Sequence, residues 1–221
     1  MIAVVFGSVA AQRDSANPTD PSITAGDAPA YIYLDYETPR SADGLLSQYM
    51  NPVTRSSVTD FFIAEIGDEE IASALLHAAE KHGIDPALVV AVSWQESGFR
   101  TDAVGVNKNR TKDRGLMQLN SATFSYLGEK EFFDPRINAD LGVSYLKETL
   151  ESSGNVVAAL AMYNAGPGRV GRLGAPRSTL DYISKIMTRR AELIKGYGDR
   201  YGANGILMSR EIRPLKNPNL L

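Results

Sequence analysis

From Asp85 to Gly98 the chain reads Asp-Pro-Ala-Leu-Val-Val-Ala-Val-Ser-Trp-Gln-Glu-Ser-Gly, and no other segment restricts the fold as tightly. Asp85 is a good N-cap and Pro86 occupies the first helical position, where its missing N–H would be unpaired in any case. Ala87 to Gln95 is apolar nearly all round, so the helix must run through the buried centre of a domain. Leu88, Val92 and Glu96 fall on one stripe at i, i+4 and i+8, which sets a carboxylate where a core residue belongs. Gly98 then ends the helix and leaves Glu96 in its last turn, where the negative end of the macrodipole disfavours a further negative charge. Burial and dipole both raise a carboxyl pKa, as a general acid working near neutral pH requires. A glutamate that simply emerges into solvent at a helix end leaves the same trace, so the neighbouring motifs must decide.

The chain has 221 residues, enough for one core with appendages. A formal charge of −3 and a pI near 5.5, with Lys and Arg scattered among acids, provide no basic face for a phosphate backbone, which argues against nucleic acid as a partner. The absence of cysteine removes disulfides, thiolate nucleophiles and cysteine metal sites together. No stretch approaches the roughly 20 apolar residues of a membrane-spanning helix. Residues 1–11 (MIAVVFGSVAA) are apolar and end in small residues, like the tail of a signal peptide without its positive start, and they predict export to the periplasm or cell envelope. Residues 12–44 pass through Asn-Pro, Asp-Pro, Ala-Pro and Thr-Pro steps and are expected to form a linker or arm, with Tyr31–Leu34 docking as a short strand.

Helical spacing governs the rest. Ile71, Ala74, Leu75 and Ala78 recur behind an Asp68 N-cap and before Gly83. Further helices are expected from Asp140 to Leu150, from Asn155 to Asn164 with Gly166-Pro167 as its stop, and from Ser178 onward. The last is expected to open with a Ser178-x-x-Asp181 capping box and to turn Ile183, Ile186 and Met187 inward. Residues 196–221, rich in Gly, Asn and Pro, read as a loosely held tail.

Within 19 residues of Glu96 comes Arg114-Gly115-Leu116-Met117-Gln118-Leu119-Asn120, and later Ala161-Met162-Tyr163-Asn164-Ala165-Gly166. Glu96-Ser97, Gly115-Leu116-Met117-Gln118 and Tyr163-Asn164-Ala165-Gly166-Pro167-Gly168, in that order, resemble the three successive motifs of the SLT-type lytic transglycosylases, relatives of goose-type lysozymes. The match covers roughly residues 84–186. It implies a mostly α, lysozyme-like α+β domain over residues 45–195, with a sugar groove and one small β-hairpin near Val106. It also implies cleavage of peptidoglycan glycan strands by Glu96, with the substrate's N-acetyl group stabilising the cationic centre. The same glutamate then takes the proton of the C6 hydroxyl, whose oxygen closes onto C1 to give a 1,6-anhydro end. Ser97, Gly115, Gln118, Asn120, Tyr163 and Asn164 become the substrate-side residues: Gln118 and Asn164 serve the acetamido groups, and the Tyr163 hydroxyl stands near Glu96. A monomer without cofactor or metal meets these needs. The rivals are a lysozyme-like muramidase on the same scaffold and a non-catalytic peptidoglycan-binding protein.

Gly105-Val106 stands where many relatives carry Ser-Pro, and Asn120 replaces a frequent methionine. Asn107, Asn109, Thr111 and Asp113 alternate like a calcium loop, but the central glycine and terminal glutamate are missing, so a turn lining the cleft is expected. No acid other than Glu96 has a comparable apolar setting; Asp102 and Asp113 lie in polar turns and are expected to be solvated. His77 and His82, five apart, do not share a helix face and read as surface residues, and Arg189-Arg190 reads as a solvated face.

Overall fold

The computed structural model describes residues 44–202. The signal-like start, nearly all of the proline-rich arm with its Tyr31–Leu34 strand, and residues 203–221 lie outside the described residues. Within them the chain is mostly helical with one small antiparallel sheet, as expected.

Helices α1 (Leu45–Met50) and α2 (Arg55–Ile66) come first, then α3 (Glu69–His82), which Asp68 caps through the Ile71 N–H and Gly83 ends in the left-handed region. The inward stripe of α3 is buried as the spacing requires. Helix α4 (Pro86–Ser97) is the centre of the domain: Ala87 to Ser93 are all at most 3% exposed, and α3 and α9 pack against it. Asp85 caps α4 through the Ala87 N–H, and Gly98 closes it with φ 60°.

Strands β1 (Val104–Val106), β2 (Lys112–Arg114) and β3 (Leu119–Asn120) follow, paired antiparallel in that order, so the expected hairpin carries a third strand. Gly105 faces Asp113, and Asp113 faces Asn120. The polar alternation of the β1–β2 turn is internal bracing. Asn107 Nδ2 donates to Thr111 Oγ1 at 3.1 Å, and the Thr111 hydroxyl donates to Asn109 Oδ1 at 2.8 Å.

After α5 (Glu129–Phe133), α6 runs over Pro135–Ser153, longer than the expected Asp140–Leu150. Asp134 accepts from the Arg136 and Ile137 N–H groups and Pro135 opens the helix, which starts it a turn earlier than the apolar pattern suggests. Helix α7 (Val156–Ala165) is capped by Asn155 through the Ala158 N–H. Gly166-Pro167 does stop α7, but Pro167 also starts α8 (Pro167–Leu173). Helix α9 (Arg177–Tyr201) begins at a Pro176 N-cap with no side-chain cap bond, so the Ser178 capping box is not formed. It continues past Gly196 because Leu193 and Tyr197 are buried, with Tyr197 edge-on to Phe61 at 5.5 Å. The tail therefore begins later than residue 196.

Arg189 and Arg190 are not a solvated face. Arg189 pairs with Glu65 of α2 at 2.9 Å, and Arg190 with Asp85 at the head of α4 at 2.8 Å, which fastens α9 across both helices. His82, expected on the surface, is partly buried at the end of α3 and shares Asp140 of α6 with Lys81, at 2.8 and 2.7 Å.

Candidate active site

A groove of about 280 Å³ opens beside the C-terminal end of α4. Glu96 lines it together with Asn107 and Asp113 of the sheet region, Gln118 and Asn120, Phe124 and Tyr145, and the Tyr163–Gly166 end of α7. Five of the seven sequence-chosen residues, Glu96, Gln118, Asn120, Tyr163 and Asn164, therefore meet at one surface.

Glu96 is only partly exposed, and its carboxyl is enclosed by protein on the groove floor. Its pKa is pushed up to about 7, chiefly by desolvation. A hydrogen bond from Tyr182 acts in the opposite direction, and the nearby Asp113 carboxylate adds to the rise. The Tyr182 hydroxyl donates to Glu96 Oε1 at 2.6 Å. This hydroxyl belongs to α9, a part of the sequence from which no partner of Glu96 was expected. Its only trace in the sequence is a tyrosine beside Ile183 on the inward stripe, which looks like an ordinary core aromatic. The Tyr163 hydroxyl, near Glu96 as expected, donates to the Met117 carbonyl oxygen at 3.0 Å. Burial, with Glu96 nearby, pushes the Tyr163 hydroxyl well above its ordinary pKa, so it stays a neutral donor.

Gln118 sits at φ 50°, a left-handed conformation uncommon for a side-chain-bearing residue. Its Nε2 donates to the Gly115 carbonyl at 2.9 Å and to the Ala103 carbonyl at 3.2 Å. Both amide hydrogens are committed, and Oε1 is left as an acceptor, so Gln118 does not offer the groove the donors expected of it. Asn164 is exposed on the groove wall, and its Oδ1 accepts from Thr179 Oγ1 at 2.7 Å.

Two of the expected substrate-side residues lie behind the wall. Ser97 is 4% exposed and donates to the Leu116 carbonyl at 2.8 Å, tying α4 to the loop after β2. Gly115 is buried at φ 76°, and a Cβ there would collide with the Phe132 carbonyl and the Asn138 side chain. Both shape the wall without reaching the groove. Asn138, fully buried, holds this loop from α6: its Oδ1 accepts from the Met117 N–H at 2.7 Å, and its Nδ2 donates to the carbonyls of Phe132 at 2.7 Å and Arg114 at 3.0 Å.

Asp113 differs from the solvated turn acid expected. It lines the groove from β2, and each of its oxygens receives an amide: Oδ2 from Asn107 at 2.8 Å, Oδ1 from Asn120 at 2.7 Å. The signal lay in the sequence as the polar Asn107–Asp113 stretch and the unusual Asn120, but only strand pairing brings these three side chains together.

An enclosed carboxyl whose pKa is pushed up to about 7, beside a polar groove, is an arrangement suited to acid–base chemistry. The family model of the transglycosylase SLT domain matches residues 73–185, just over half of the chain. The X polypeptide of Escherichia coli is 33% identical over 123 residues, covering 53% of this chain and 72% of that protein. Membrane-bound lytic murein transglycosylase F of Desulfosudis oleivorans is 35% identical over 100 residues, covering 42% of this chain and 21% of that protein. The solved structure of an inactive mutant of lytic transglycosylase Slt from Pseudomonas aeruginosa superposes with a TM-score of 0.47 at 26% identity, covering 59% of this chain and 24% of that one. The chain belongs to the transglycosylase SLT domain family and is a peptidoglycan lytic transglycosylase.

Proposed function

We propose that Glu96 first donates and then accepts the proton that moves during cleavage of the β-1,4 bond between N-acetylmuramic acid and N-acetylglucosamine. The observation that carries this is the enclosed Glu96 carboxyl, poised at about 7 on the groove floor. Protonated Glu96 gives its proton to the glycosidic oxygen as the bond to C1 breaks. The substrate's own acetamido group stabilises the cationic C1, and Tyr182 donates to the carboxylate that Glu96 has become. That carboxylate removes the proton of the C6 hydroxyl, and O6 bonds to C1. An intramolecular hydroxyl has a high effective concentration, which lets it compete with water. Asn164 lines the path of the strand, and Gln118 Oε1 and the Asn120 edge of the sheet are placed to orient its acetamido groups. The enzyme acts as a monomer outside the cytoplasm, where its substrate lies; among the described residues no helix is long and apolar enough to cross a membrane.

Asp113 favours a second outcome on the same scaffold. A carboxylate held by Asn107 and Asn120 at the groove is an oriented acceptor for a water's proton, as a hydrolase needs. Digestion of purified glycan strands in ¹⁸O-water separates the two. Products with anhydro ends, one water lighter than reducing ends and free of label, are expected; label at the new muramic acid C1 would establish hydrolysis in place of the transglycosylase outcome.

A further inference from the structure

The segment around α8 carries positive charge with no acid within it. Residues 152–180 contain no acid, yet they include Arg169, Arg172 and Arg177, all exposed, in a chain whose net charge is −3. Several arginines elsewhere are drawn into pairs, as with Arg55 and Glu80, Arg189 and Glu65, and Arg190 and Asp85. None of these three side chains meets a partner among the described residues, and Asp181, one turn beyond Arg177, makes no pair with it.

Two of the three lie on α8 and the third opens α9, the elements that follow groove residues Asn164 to Gly166 in the chain. Gly166 lines it, and the Arg169 N–H donates to the Gly166 carbonyl at 3.2 Å, which sets Arg169 one turn from the edge. Arg172 Nη1 folds back to within 3.8 Å of where a Cβ on Gly168 would stand. Arg177 is two residues from Thr179, whose hydroxyl holds groove residue Asn164. Leu173 and Leu180 are exposed beside them, at 78% and 54%.

We propose that this Arg169–Arg172–Arg177 surface binds the carboxylates of the substrate's stem peptide and so makes the enzyme prefer peptide-bearing glycan strands to denuded ones. The proposal rests on the glycan-strand function given above. A strand lying in the groove carries peptides amide-linked to the lactyl carboxyl groups of its muramic acids. Those peptides present several carboxylates with small apolar side chains between them, complementary to guanidinium forks interspersed with leucine. The groove ties the patch to the strand, which favours the peptide over an anionic membrane surface as its ligand.

The test compares peptide-bearing strands with the same strands stripped by an amidase, using wild type and Arg169→Ala/Arg172→Ala/Arg177→Ala. The triple variant should raise KM on peptide-bearing strands about tenfold at low salt, three exposed charge pairs being individually weak, while kcat and all kinetics on stripped strands stay as in wild type. Added salt should erode the wild-type preference. Equal losses on both substrates, or no loss on either, would overturn the proposal. So would loss of binding to phosphatidylglycerol vesicles with strand kinetics unchanged. Direct binding of both strand types to Glu96→Gln, with and without the arginines, reads the patch independently of turnover, so an error about the chemistry and an error about the patch give different results.

Discussion

Glu96 must be protonated to donate, and the desolvation that keeps it so also costs the folded state when the proton leaves. Its folded pKa of about 7 lies above that of a free glutamate. The alkaline limb of kcat/KM should therefore fall near pH 7, and a limb near pH 4 to 5 would remove Glu96 from the acid role. Glu96→Gln should lower turnover by roughly 10²- to 10⁴-fold while preserving the fold, measured by release of soluble products from purified sacculi. The stability sign follows from the raised pKa: the folded state binds the proton more tightly, so the favourable contribution is complete below the unfolded pKa and is lost as pH rises through about 7. Glu96→Gln should accordingly melt higher than wild type at pH 8, by on the order of 2 kcal/mol, and match it at pH 4. Tyr182→Phe removes the hydrogen bond that opposes the shift and should move the alkaline limb upward; a limb that moves down would show that the phenol does not favour the carboxylate.

Among the elements, the loop between β2 and β3 is the part most dependent on long-range support. Asn138→Ala would leave buried backbone groups of Arg114, Met117 and Phe132 without partners. The expected cost is roughly 3 kcal/mol or more, read as a lower urea midpoint together with weaker strand binding, because the same loop shapes the groove wall. Truncation after Lys195 would strip Tyr197 from Phe61 and should lower the melting temperature; an unchanged melting point would mean that the last turns of α9 only decorate the surface. The helices whose ends carry strong signals were legible in the sequence: α3 and α4 have Asp N-caps and glycine stops, and their apolar residues admit only one assignment. Asp134-Pro135 is the same cap-and-proline signal as Asp85-Pro86, but apolar spacing drew attention to the later residues of α6. Pro167 is ambiguous by nature, since proline ends one helix and begins another equally well. Tyr182 and Asp113 were not legible as site residues, because their roles arise from α9 crossing α4 and from the register of the sheet.

At the scale of the whole molecule, the three motifs are separate in sequence and adjacent only because α4, the sheet and α7 share one core. Their order was readable; the Tyr182 hydroxyl as the hydrogen-bond partner of Glu96 was not. Tyr182 also bears on timing. Residue 182 leaves the ribosome long after residue 96, and until α9 packs on α4 the glutamate has neither its cover nor its phenol. Without that burial the glutamate lacks the desolvation that chiefly raises its pKa in the folded chain. The Glu96 site is thus complete only once α9 is in place.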